Sequence, residues 1–258
     1  MLRFSVVDFL NARPLIWGLL EEPPPGVEVS RDLPSACADK LASGEADVGL
    51  IPSIEYQRIP GLRVVGGLGI AASSEVRSVL LVSKVSREKI RSVGLDPASR
   101  TAAVLTRVLL KRRYGIEPVF REGAPGTDTD ADLVIGDPAL KARLNGHVVL
   151  DLAAEWRAFS GHPFVFAFWA IRPGVPEREV TEIVRASYDA GRRDFPRLVA
   201  REAAESGLSE AAVEDYLRHS LHYELDAGDL AGLDQFYRLA AEEGLIATAR
   251  ALALASPG

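Results

Sequence analysis

Two strongly apolar segments, residues 76–83 and 164–171, bracket an internal stretch of alternating strand and helix patterns, and everything after Pro173 reads as helix. A helical tail has no sheet of its own, so it must cover a sheet built earlier in the chain. That requirement forces a discontinuous first lobe. The chain leaves it through one apolar segment, builds a second lobe, and returns through the other. Two crossings make a hinge, and a hinge between lobes makes a cleft. The expected division is residues 1–80 plus 170–258 for lobe one and 81–169 for lobe two.

Patterning within each part supports an α/β reading. Strands are expected at 4–7, 27–29, 48–51 and 62–69, with helices at 13–20 and 34–43 between them. Such alternation implies a mostly parallel sheet. In the second unit a helix over 99–114 carries apolar residues at 102, 105, 108 and 109, the spacing of a buried stripe. Strands at 118–121, 132–135 and 147–150 follow, with a surface loop over 122–130. Helices over 176–193, 195–206, 209–219 and 226–255 make up the tail, with Ser209 and Asp226 as caps and no strand among them.

Composition removes several function classes. The formal net charge is −6 and no basic block occurs, which gives no support for a nucleic-acid surface. The single cysteine, Cys37, precludes an intrachain disulfide and suits packing inside its helix. Four histidines lack the acidic or thiol partners of a metal-ligand pattern, so no metal is expected. No signal segment or membrane span is legible, so the expected location is cytoplasmic, with no membrane partner.

Open α/β sheets bind ligands at the carboxyl ends of their strands, and four such turns carry polar chemistry. Asn11 follows the first strand and offers both a donor and an acceptor, with Arg13 close behind. Ser53 follows the buried strand at 48–51. Ser99, Arg100 and Thr101 open the amphipathic helix, where free N–H groups and the helix dipole favour an anion. Gly136 and Asp137 form the fourth turn, where the glycine lets a ligand approach the backbone. For each, an ordinary helix cap or strand-to-helix turn is the plainer alternative. Ser78 is a polar residue inside the first apolar segment and either satisfies itself on the backbone or faces the cleft. Trp17, Trp156 and Trp169 are read as packing residues. Dinucleotide and Walker phosphate loops are absent, as is a nucleophile elbow.

Taken in order, Phe9-Leu10-Asn11-Ala12-Arg13-Pro14-Leu15, Ala46-Asp47-Val48-Gly49-Leu50-Ile51-Pro52-Ser53, Val76-Arg77-Ser78-Val79, Ser99-Arg100-Thr101 and Ile135-Gly136-Asp137 form a series. With Asp151-Leu152 ahead of a helix carrying Trp156, it resembles the menaquinone-biosynthesis family of chorismate dehydratases on the futalosine route, across nearly the whole chain. The resemblance implies the type II periplasmic-binding-protein fold and a cofactor-free lyase that dehydrates chorismate. It also implies that Asn11 matches an active-site asparagine and Ser78 an active-site serine. Ser53, Ser99, Arg100, Thr101, Gly136 and Asp137 would then hold the substrate. A small-anion binding protein is the main rival, because this fold serves receptors as often as enzymes. A later-step enzyme of the same pathway is a second rival, though its pattern includes a catalytic histidine. None of the histidines here sits in a strand-end turn of the kind identified above.

Overall fold

The computed structural model describes residues 1–255 except 124, 125 and 127. The loop expected over 122–130 lies partly outside the described residues. The chain forms β1 (Leu2–Val7), α1 (Arg13–Glu21), β2 (Val27–Asp32), α2 (Pro34–Ser43), β3 (Val48–Pro52), α3 (Glu55–Arg58) and β4 (Arg63–Ala72). It continues through β5 (Val79–Ser83), β6 (Ser92–Leu95), α4 (Arg100–Arg112), β7 (Val119–Glu122), β8 (Ala131–Ile135), α5 (Asp137–Lys141), β9 (Val148–Asp151) and α6 (Leu152–Ser160). The last part is β10 (Phe164–Ile171), α7 (Glu177–Arg193), α8 (Phe195–Ser206), α9 (Glu210–Asp215), a π-helical turn (Tyr216–Ser220), β11 (His222–Glu224) and α10 (Ala227–Glu242).

Two sheets result, one of six strands in the order β11-β4-β10-β3-β1-β2 and one of five in the order β7-β6-β8-β5-β9. Strand β5 lies in the second sheet and β10 in the first. The chain therefore crosses in the short segments just ahead of them, 73–78 and 161–163. A division at 80/81 and 169/170 would cut through both strands. Their apolar sequences reflect burial inside sheets, and the crossings themselves are polar or glycine-bearing.

The first sheet is mixed rather than mostly parallel. β1 pairs parallel with β2 and β3, whereas β10 runs antiparallel to both β3 and β4. The returning chain enters from the opposite end and inserts β10 between two strands already laid down. Nearly every residue of β10 is buried, which explains its unbroken apolar run.

The tail also departs from expectation in two places. His222–Glu224 forms a strand, β11, on the free edge of β4. The final helix stops at Glu242, and Gly244 follows with φ +68. Beyond it the chain lies along β4, where the Val64 N–H donates to Ala253 O at 2.9 Å and Ala255 donates back to Val64 O at 2.8 Å. A free sheet edge offers more than continued helix in a segment whose polar face has ended.

Packing follows the sequence closely elsewhere. Helix α2 ends on Gly44 in the left-handed region, and Cys37 is buried within it, with burial pushing its thiol up to about 12. Helices α1 and α7 approach so closely that a Cβ on Gly191 would lie 2.3 Å from Pro14 O. Ser209 and Asp226 accept backbone N–H bonds as helix caps. All three tryptophans are fully buried. Trp156, Phe164 and Phe236 stack edge to face at 5.0–6.0 Å between centroids, locking α6, β10 and α10 together beside the second crossing. Among the described residues, no helix is long and apolar enough to cross a membrane.

Candidate active site

A small, largely apolar cavity of about 60 Å³ lies between the two sheets. Its walls come from both lobes. Lobe one supplies the turn after β1 with Phe9 and Asn11, and Phe166 from β10; the other lobe supplies the opening turn of α4 and Gly136.

Asn11 sits in a short 3-10 turn, Leu10–Ala12, that links β1 to α1. Its Oδ1 is buried and has no hydrogen-bond partner. A buried acceptor left unpaired carries a desolvation cost, and it stands ready for a ligand donor. Arg13, two residues on, turns away from the cavity. Its Nε donates to Glu202 at 2.9 Å and its Nη2 to Asp8 at 2.8 Å. Burial works against the Arg13 charge, but Asp8 and Glu202 outweigh it and raise its pKa. Arg13 therefore fixes the Asn11 turn to α8.

Residues 99–102 form the opposite wall. Ser99 holds the N-cap position of α4 without making a side-chain cap bond. The first intrahelical bond runs from the Ala103 N–H to Ser99 O at 2.8 Å. The N–H groups of residues 100–102 are thus at the open, positive end of a helix of 13 residues. The Arg100 guanidinium is already engaged, donating to Glu55 at 3.0 Å and to both Asp39 oxygens at 2.9 Å. Burial works against that charge too, but Asp39 and Glu55 hold its pKa above the ordinary value. Thr101 Oγ1 accepts the Ile54 N–H at 3.2 Å, another bond across the cleft.

Gly136 lines the cavity at φ +65 and ψ −148, a conformation nearly confined to glycine. A Cβ there would meet the Phe9 ring at 3.0 Å.

Three residues expected at the site lie beside the cavity wall and hold protein partners. Ser53 is fully buried and donates its hydroxyl to Val165 O at 2.8 Å. Asp137 Oδ1 accepts the Leu10 N–H at 3.0 Å. Ser78 is fully buried, its carbonyl accepts the Gly136 N–H at 2.8 Å, and its hydroxyl meets the Tyr216 hydroxyl at 2.6 Å. The structure thus brings Asn11, Ser99, Arg100, Thr101 and Gly136 to one cavity and puts Ser53, Ser78 and Asp137 directly behind it.

Sequence reasoning missed the apolar walls, Phe9 and Phe166, because an aromatic residue in an apolar run carries no chemical signal. It also missed what holds the first crossing. Asp151 accepts the N–H groups of Val76 and Arg77 at 3.1 and 2.7 Å while capping α6. Burial pushes its carboxyl pKa up even against those bonds. Nothing local to Asp151 in the sequence signals the crossing.

Two α/β lobes, two crossings and a cavity between them are the architecture of the periplasmic-binding-protein fold. Solved structures agree on the fold. A protein of Archaeoglobus fulgidus aligns with a TM-score of 0.75 at 18% identity, covering 95% of this chain and 98% of that one. The periplasmic aliphatic sulphonate-binding protein SsuA of Escherichia coli aligns at 0.66 and 20% identity, covering 100% and 92%. The particular family follows from the sequence. Residues 2–242 match the model of the menaquinone biosynthesis family, and the chain belongs to it. Among its relatives, the chorismate dehydratase of Thermus thermophilus is 29% identical over 82% of this chain and 86% of its own length. That of Campylobacter jejuni is 26% identical over 91% and 96%.

Proposed function

We propose that this chain is a hydro-lyase that converts chorismate to 3-[(1-carboxyvinyl)oxy]benzoate. Both relatives named above are chorismate dehydratases aligned along most of their length. In the reaction, a proton leaves the ring carbon bearing the enolpyruvyl ether. The neighbouring C–O bond breaks, the departing hydroxyl takes up a proton, and water is lost as the ring becomes aromatic. Aromatisation supplies the drive, so the protein has to position a dianion and assist one proton and one hydroxyl.

The observation that carries this reading is the buried, unpartnered Asn11 Oδ1 in a largely apolar cavity. Among the described residues of its wall, the sole ionisable side chain is Arg100, and its charge is already paired. A substrate carboxylate then acts as the base, and its removal from water raises its basicity. The other carboxylate seats on the N–H groups that open α4, beside the Ser99 hydroxyl. Asn11 bonds the reacting region, and its amide offers a donor to the departing hydroxyl. Gly136 keeps the opposite wall close to the ring. Ser78, engaged by Tyr216 behind the wall, holds the Gly136 turn through its carbonyl, and Ser53, Thr101 and Asp137 hold the walls in register.

Asn11→Ala tests the assignment. Turnover should fall about 10²–10³-fold, the usual cost of a lost transition-state hydrogen bond, with chorismate binding retained. Near-normal turnover would remove Asn11 from the chemistry.

A further inference from the structure

Glu55 opens α3 and is only 4% exposed, yet both its carboxylate oxygens hold an arginine. Oε1 accepts from Arg58 Nη1 at 2.7 Å within lobe one. Oε2 accepts from Arg100 Nη1 at 3.0 Å, across the cleft. The preceding residue reaches over as well, through the Ile54 N–H bond to Thr101. Two successive residues of lobe one thus grip two successive residues at the start of α4, and those residues wall the cavity.

A helix of four residues cannot hold such a grip unaided. The C-terminal tail, which lies past the matched family region, clamps it. Gln57 exchanges two 2.8 Å bonds with the Arg250 backbone. The Tyr56 hydroxyl accepts the Ala253 N–H at 2.8 Å and donates to Ala251 O at 2.9 Å. Arg250 reaches back to Ile59 O at 3.0 Å and over the Tyr56 ring. The grip on α4 is therefore built from a braced element.

We propose that Glu55 is a positioning residue for the dehydration. By taking Arg100 across the cleft, it selects the closed arrangement and seats the α4 N-terminus opposite Asn11. Oε2 of the buried carboxylate finds its cation only when the lobes meet. Arg100 keeps Asp39 across the cleft, so breaking the Glu55 pair weakens closure and favours opening without abolishing the contact. The pairing also occupies the Arg100 charge, which leaves the backbone N–H groups of α4 as the seat for the substrate carboxylate. The proposal rests on the reading of the cavity as a chorismate site.

Glu55→Gln keeps the shape and removes the charge. The apparent affinity for a ligand scales with the closed fraction. The KM for chorismate should therefore rise about tenfold with kcat within about twofold. The ligand-free radius of gyration from small-angle scattering should exceed that of the parent protein and return towards it with saturating chorismate. Glu55→Asp should recover part of the lost KM. A merely structural role would lower the melting temperature and leave KM and the radius of gyration unchanged at temperatures well below melting. An unchanged KM, a fall in kcat at constant KM, or an unchanged radius of gyration overturns the proposal. If Glu55→Gln does not fold, Arg100→Gln breaks the pair together with the Asp39 contact while Glu55 keeps Arg58. The ligand-free radius of gyration should then rise at least as far, and an unchanged radius overturns the proposal. Failure of the parent protein to consume chorismate would refute the substrate reading alone, since the ligand-free scattering comparison still tests Glu55.

Discussion

The Leu10 N–H donates to Asp137 Oδ1 at 3.0 Å, tying the turn that carries Asn11 to the turn that carries Gly136. Leu10 is buried, so its N–H has no water to fall back on. One carboxylate oxygen therefore holds together the two turns that face each other across the cavity.

Asp137→Asn retains an acceptor oxygen and should change kcat/KM by less than about threefold. Asp137→Ala strands the Leu10 N–H, which costs about 1–3 kcal/mol of stability and should lower kcat/KM far more. Denaturant unfolding and steady-state kinetics on both variants check this. Equal, large losses in the two variants would show that the charge itself is used on substrate.

Gly136→Ala should be more damaging than its one carbon suggests. The conformation at φ +65 and ψ −148 is strained for any other residue, at about 1–3 kcal/mol, and the new Cβ would meet the Phe9 ring at 3.0 Å. Because Phe9 and Gly136 belong to opposite lobes, the clash should hold the cleft ajar. KM should rise along with the loss of stability, and trimming the ring with Phe9→Ala in the same chain should restore part of the closure.

Acid sensitivity should be traceable to Asp47, whose carboxylate accepts the Arg3 backbone N–H at 3.0 Å and its guanidinium at 3.0 and 2.7 Å. The Arg3 side-chain bond, working against a smaller desolvation penalty, holds the Asp47 pKa below its ordinary 3.8. The folded state then binds the proton less tightly than the unfolded chain. The contact stabilises above pH 3.8 and is lost as the pH falls below that value through the depressed one. Asp47→Asn should melt below the parent protein at neutral pH, and the gap should close towards strongly acid conditions. A constant gap across the whole range would count against the assignment.

Much of this arrangement was legible in the chain. Helix α2 falls where Pro34 and Gly44 put it, and α4 runs along the apolar stripe at 102, 105, 108 and 109. Asn11, Ser99, Arg100, Thr101 and Gly136 could be found because each is a polar residue or glycine at a strand end or helix start. The three-residue strand β11 could not be, since it is too short to show alternation and exists because β4 offers an open edge. The segment after Glu242 reads as helix by its alanines and leucines, but pairing with Val64 decides its course. Ser53, Ser78 and Asp137 lie behind the wall because Val165, Tyr216 and Leu10 engage them. Those partners are 112, 138 and 127 residues away in sequence, and no local pattern announces them.

Turnover of chorismate by the purified chain distinguishes a dehydratase from a binding protein. The diene absorbance should disappear while one equivalent of an aromatic enolpyruvyl ether forms. Chorismate that binds tightly and comes back unchanged would contradict the dehydratase reading and leave a small-anion binding protein in its place.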